Sequence, residues 1–199
     1  MALDLSTLER FYAPDRAAWR AWLEAHHAAS PGVWLVYFKK ESGKPRVSYD
    51  EAVEEALCFG WIDSKPNKID ELSYMQLFSP RKPKSNWSKP NKERVERLLA
   101  AGLMAPAGLR MVEIARQNGK WEALDEVEAG VVPADLVQAL ESYPNAAANF
   151  EAFPRSYKRG VLEWVLNAKR PETRAKRINE IARLAAVNER ANQYTPKPS

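Results

Sequence analysis

The chain has 199 residues, 45% hydrophobic and 28% charged, which is the composition of a globular protein long enough to bury a core without covalent staples. A single cysteine, Cys58, excludes an intramolecular disulfide, and with His26 and His27 as the only histidines a Cys/His zinc site lacks ligands. The net charge of +4 is modest, no apolar run reaches the roughly 20 residues of a membrane helix, and the first residues carry neither a basic start nor an apolar segment of the secretory kind, so the expected address is the reducing cytoplasm.

Asp15 precedes "RAAWRAWLEAHH", where Trp19, Trp22, Leu23 and His26 recur at helical spacing, predicting an amphipathic helix over 15–28 closed by Pro31-Gly32. "VWLVYFKK" (33–40) is short, β-branched and aromatic, apolar on both parities, and reads as a strand covered on both faces. Ser48-Tyr49-Asp50-Glu51 is a capping box, in which the serine hydroxyl accepts from the third helical amide and Glu51 reaches back. It opens a helix that runs through "EAVEEALCF" to Phe59, with Gly60 supplying a left-handed exit. "WIDSKPNKIDELSYMQLF" predicts a hairpin of strands at 61–64 and about 72–78, turning around Pro66-Asn67.

After Asn91 the pattern becomes helical throughout. Helices are predicted at 91–101, from Pro106 to Gly119, from Pro133 to Pro144, over one or two turns at 145–153, along the stripe Tyr157, Val161, Trp164, Val165 and Ala168, and from Pro171 with Ile178, Ile181 and Leu184 facing inward. Residues 190–199 read as a frayed tail, and the acidic, periodless stretch at 120–132 reads as a boundary. The expected fold is α+β: a small antiparallel sheet with helices over 1–120, including a strand-helix-hairpin unit and a basic tryptophan-containing loop, then an all-helical part over 132–190.

Charge is unevenly spread. Residues 80–97 carry +5 and residues 155–177 carry +6, leaving −7 for the remainder. Solubilising charge alone is spread more evenly than this, although a solvated basic helix face accounts for either island equally well. In the first island Trp87 stands among Arg81, Lys82, Lys84 and Lys89, with prolines 80, 83 and 90 stiffening the loop. Arginine and lysine bind phosphate or carboxylate, and an indole stacks on a base, a sugar or a guanidinium; alternatively Trp87 packs between the sheet and the helix at 91–101. Asp63 is either a buried carboxylate tied to a cation or a strand-end turn residue. With Arg159, Lys169, Arg170 and Arg174 of the second island, these residues form the candidate ligand site, and one shared cleft is expected to gather both islands. Cys58, one turn from a helix C-terminus where the dipole disfavours a thiolate, reads as structural. No phosphate loop, nucleophile elbow, zinc-protease motif or dinucleotide fingerprint is present, and no catalytic residue, metal or cofactor is assigned.

Three blocks, "EALCFGWIDS" (55–64), "FSPRKPKSNWSKPN" (78–91) and "AKRPETRAKRI" (168–178), together resemble the YdeI/OmpD-associated, or bacteriocin-protection, family over nearly the whole chain. Residues from about 132, with Phe150 to Arg159 and Ala168 to Arg174 as their blocks, resemble its small helical C-terminal domain. The resemblance implies a bacterial stress or resistance protein linked with tolerance of bacteriocins or antimicrobial peptides, and it brings no catalytic residue with it. The strand-helix-hairpin unit is similar to small α+β domains of the YdhG kind, a likeness of fold that carries no function. Three readings stand side by side. They are a non-catalytic protein that binds an anionic small molecule or polyanion, a nucleic-acid binder that lacks a known motif, and an enzyme acting on a phosphorylated or carboxylated small molecule. The sequence leaves the oligomeric state open.

Overall fold

The computed structural model describes residues 4–193, and of Lys65 only the backbone; the predicted frayed tail lies, from residue 194 on, outside the described residues. The chain divides into two compact units, Met1–Ala123 and Leu124–Ser199. The fold is α+β, with every strand among the described residues in the first unit and helices in both.

The first unit builds on a four-stranded sheet in the order β1-β2-β4-β3, where β1 is Arg10–Tyr12, β2 Val33–Phe38, β3 Trp61–Lys68 and β4 Ser73–Pro80. β2 pairs antiparallel with β4, placing Val33 opposite Phe78 and Tyr37 opposite Tyr74, and β3 forms a hairpin with β4. In its strand pairing the sheet departs from the sequence reading twice. The sheet is mixed, because the three-residue β1 adds parallel to β2. The hairpin turns at Ile69–Leu72, where the Asp70 carboxylate accepts from the Leu72 amide at 2.8 Å, rather than at Pro66-Asn67. Those two residues lie inside β3, beyond an irregularity in register between Asp63 and Pro66. β3 is an edge strand, and an edge tolerates a proline whose missing amide needs no partner.

Helix α1 (Arg16–His26) starts where the Asp15 carboxylate accepts from the Ala18 amide at 2.8 Å. Helix α2 (Tyr49–Cys58) opens on the predicted capping box, with both reciprocal bonds formed, and Gly60 takes the left-handed conformation at φ 73° just past its end. These helices cover the sheet face that carries Val33, Leu35 and Tyr37, all fully buried. The other face of β2 is less covered than predicted: Trp34 is buried and donates its indole N–H to Leu5 O at 2.9 Å, but Val36 and Phe38 are half-buried.

Aromatic packing dominates this core. Trp19 stacks on Trp22 at 5.4 Å, Trp22 meets Trp61 edge-on at 5.8 Å, and Trp19 meets Phe78 at 5.3 Å. Each buried indole needs an acceptor, and Trp19 finds Ala52 O at 3.0 Å while Trp61 finds His27 O at 3.2 Å. Glu55, only 2% exposed, takes Arg16 Nε at 2.5 Å and Arg20 Nη1 at 2.7 Å. Helices α3 (Lys89–Ala100) and α4 (Pro106–Gln117) complete the unit. Gly108 lets α4 approach the end of α2, since a Cβ there would lie 2.2 Å from Cys58 O. Cys58 is fully buried and its thiol is pushed up to about 11, chiefly by burial and then by the Glu55 carboxylate.

The second unit is helical: α5 (Asp125–Ala129), α6 (Ala134–Glu141), α7 (Ala146–Ala152), α8 (Arg155–Leu166) and α9 (Pro171–Ala186). The acidic stretch read as periodless contains α5, which contributes buried Val127 to this unit's core. α9 is the central element, packing on α6, α7 and α8 through Ile178, Ile181, Ala182 and Ala185.

Candidate functional site

The basic loop leaves β4 at Pro80 and is pinned along its length. The Arg81 amide donates to Gly60 O at 2.9 Å, Asn118 Nδ2 to Pro83 O at 2.9 Å, and the Trp87 amide to Lys120 O at 3.1 Å. Trp87 is 1% exposed and lies 5.0 Å from the Trp121 ring, so it is a member of the core and shows no face to a base or sugar. The guanidinium of Arg81 sits 3.8 Å above the Trp87 ring and is itself only 5% exposed. Its Nη2 donates to Asn86 O, while its Nε has no acceptor among the described residues. Burial pulls Arg81 down to about 10, and the Asp63 carboxylate acts in the opposite sense without reaching hydrogen-bond distance. Lys82, Lys84 and Lys89 are exposed, Lys89 with Glu93 at 4.0 Å. Of the first island's candidates, two are thus buried and three present their charge to solvent.

Asp63 is not a bare turn residue, and among the described residues its partners are hydrogen-bond donors rather than a cation. One oxygen accepts from Tyr49 Oη at 3.0 Å and from Gln76 Nε2 at 2.7 Å, and Gln76 Nε2 also donates to Ser64 O at 2.8 Å. Register places Tyr37 and Tyr74 beside this cluster, their rings stacked at 5.0 Å, and the hydroxyl of fully buried Tyr37 has no partner among the described residues. Burial, reinforced by the Asp63 charge, pushes Tyr49 up to about 12. Tyr37, Tyr49 and Gln76 escaped sequence reading because they come from three elements, and in sequence each serves only a strand or a capping box.

In the second unit the cations keep local partners. Arg159 Nη2 lies 2.7 Å from Glu128 and its Nη1 3.0 Å from Glu163. Arg174 grips both oxygens of Asp135, at 2.7 and 2.9 Å, and holds that carboxyl below the usual range. Lys169 and Arg170 are exposed at the start of α9, where Arg170 is the N-cap residue. Much of the charge that looked surplus in the second island is therefore compensated by carboxylates 31 and 39 positions away in sequence.

Among the described residues no cluster of His, Cys, Asp or Glu suits a metal ion, and no helix is long and apolar enough to cross a membrane. Residues 11–111 match the family model described as Domain of unknown function (DUF8412). Residues 129–188 match the model described as Bacteriocin-protection, YdeI or OmpD-Associated. The second match carries the resemblance read from the C-terminal blocks, while the blocks at 55–64 and 78–91 fall inside the first. No curated protein and no solved structure matches the chain.

Proposed function

We propose, for a chain that belongs through residues 11–111 to the DUF8412 family and carries a YdeI/OmpD-associated module at 129–188, that it serves bacteriocin protection in the cytoplasm by binding a small anion rather than by catalysis. The observation that supports this is Arg81. Burying a guanidinium costs several kcal/mol unless a carboxylate meets it. Here the compensation is an indole face, which adds about 2 kcal/mol when desolvated, and one charge-assisted bond of about 1.5–3 kcal/mol. Nε remains without an acceptor among the described residues, and Lys82 and Lys84 of the same loop present their charge to solvent. The lysines draw an anion to the loop, and it supplies the missing acceptor where the loop opens to admit it to Nε, which is otherwise sealed from solvent. The buried face of Trp87 favours this over nucleic-acid stacking.

The test is thermal unfolding of the full chain in inorganic phosphate at constant ionic strength. Wild type gains about 1.4 kcal/mol per decade of phosphate above its dissociation constant. Arg81→Gln abolishes the gain, and the exposed double variant Lys82→Ala/Lys84→Ala, which leaves the core untouched, shifts the response to higher phosphate. A melting temperature independent of phosphate, or an equal response in Arg81→Gln, overturns the reading.

A further inference from the structure

We infer that the helical unit holds a second, separate binding site, for a small amphipathic carboxylic acid, in the cavity between α5 and the start of α8. The cavity has a volume of about 600 Å³, within the range of pockets that enclose small-molecule ligands. Its apolar lining comes from Val127, Val132, Phe153 and Leu162. Such a surface accepts hydrocarbon without selecting its head group. The selection comes from the mouth.

Three cations of α8 border the cavity, and two are already satisfied. Lys158 pairs with Glu151 at 3.1 Å, and Arg159 with Glu128 at 2.7 Å and Glu163 at 3.0 Å. Arg155 is different. It is exposed, its Nη2 reaches only the backbone oxygen of Glu128 at 3.3 Å, and among the described residues it holds no carboxylate. The carboxylates that line the cavity, Glu128 and Glu151, are thus engaged by its neighbours, and the remaining charge at an apolar mouth is one guanidinium. A planar guanidinium takes a carboxylate through two parallel hydrogen bonds. The complementary molecule has a carboxylate at one end and an alkyl body at the other. This site is independent of Arg81, and the two proposals stand or fall separately.

Calorimetry of the full chain with decanoate, decanol and decylammonium, all below their aggregation concentrations, tests it. Decanoate binds with one-to-one stoichiometry, decanol binds at least several-fold more weakly, and decylammonium does not bind. Arg155→Ala weakens decanoate roughly tenfold or more, the loss expected for one hydrogen bond to a charged group. Val132→Asp, which adds a carboxylate to the lining, removes binding, and Arg81→Gln leaves it unchanged. Equal uptake of decanoate and decylammonium, uptake of neither, or retention of decanoate by both Arg155→Ala and Val132→Asp refutes the site. So does a chain that sediments as a dimer, becomes monomeric with Val132→Asp and takes up no decanoate, since a second copy then occupies the face.

Discussion

Glu55→Gln removes a carboxylate that is 2% exposed and accepts from two arginines at 2.5 and 2.7 Å. Breaking a fully buried ion pair by removing one partner costs about 3–5 kcal/mol, because the other charge stays behind undressed. Here both arginines retain about a third of their side-chain exposure, and each keeps a second carboxylate: Arg16 has Glu54 at 3.0 Å and Arg20 has Glu24 at 3.1 Å. Solvent and these partners reduce the penalty to about 2 kcal/mol. For a unit of this size that corresponds to a fall of about 6–10 °C in melting temperature. Urea unfolding followed by tryptophan fluorescence reads the right part of the molecule, since six of the seven tryptophans belong to the first unit. The control is Glu24→Gln, whose exposed i,i+4 pair is worth less than about 0.5 kcal/mol. If Glu55→Gln is as mild as Glu24→Gln, the carboxylate is not what holds α1 against α2, and the reasoning fails.

Two further outcomes follow from the same core. Because the Cys58 thiol is raised to about 11 when folded against an ordinary 9, its contribution is fully present below pH 9 and is lost as pH climbs to 11. Wild type should therefore lose about 2–3 kcal/mol more than Cys58→Ala across that window in urea titrations, and parallel profiles for the two proteins would contradict the assignment. Gly108→Ala, a change that favours an ordinary helix interior, should instead destabilise by about 3 kcal/mol, since the new methyl meets Cys58 O at 2.2 Å; a variant as stable as wild type would show that α2 and α4 part freely.

What could be read in advance was what one segment decides alone. The capping box at Ser48, the Asp15 cap, the proline-opened helices and the left-handed Gly60 all depend on residues within a few positions of each other. Pro66-Asn67 misled because proline is a turn signal and equally a legal edge-strand residue, and only pairing with Gln76 and Met75 decides between them. β1 was too short to show a period. The candidate site was legible in residue type but not in burial. "PRKPK" looks uniformly solvated, yet the strand exit turns Arg81 inward onto Trp87 and leaves Lys82 and Lys84 outside. Arg159 and Arg174 looked like free cations because their carboxylates lie on other helices.

The two hydrophobic clusters share no residue: one closes around Trp19, Trp61 and Phe78, the other around Phe150, Val165 and Ile181. One family model stops at residue 111 and the next begins at 129, and between them the chain passes from one interior to the other: Val112, Ala115 and Trp121 belong to the first cluster, Leu124 and Val127 to the second. A gene fusion can join the 129–188 module to a different leading domain without redesigning either interior. A cavity cut into one cluster removes no side chain from the other, so the local packing loss is confined to the unit that carries the substitution.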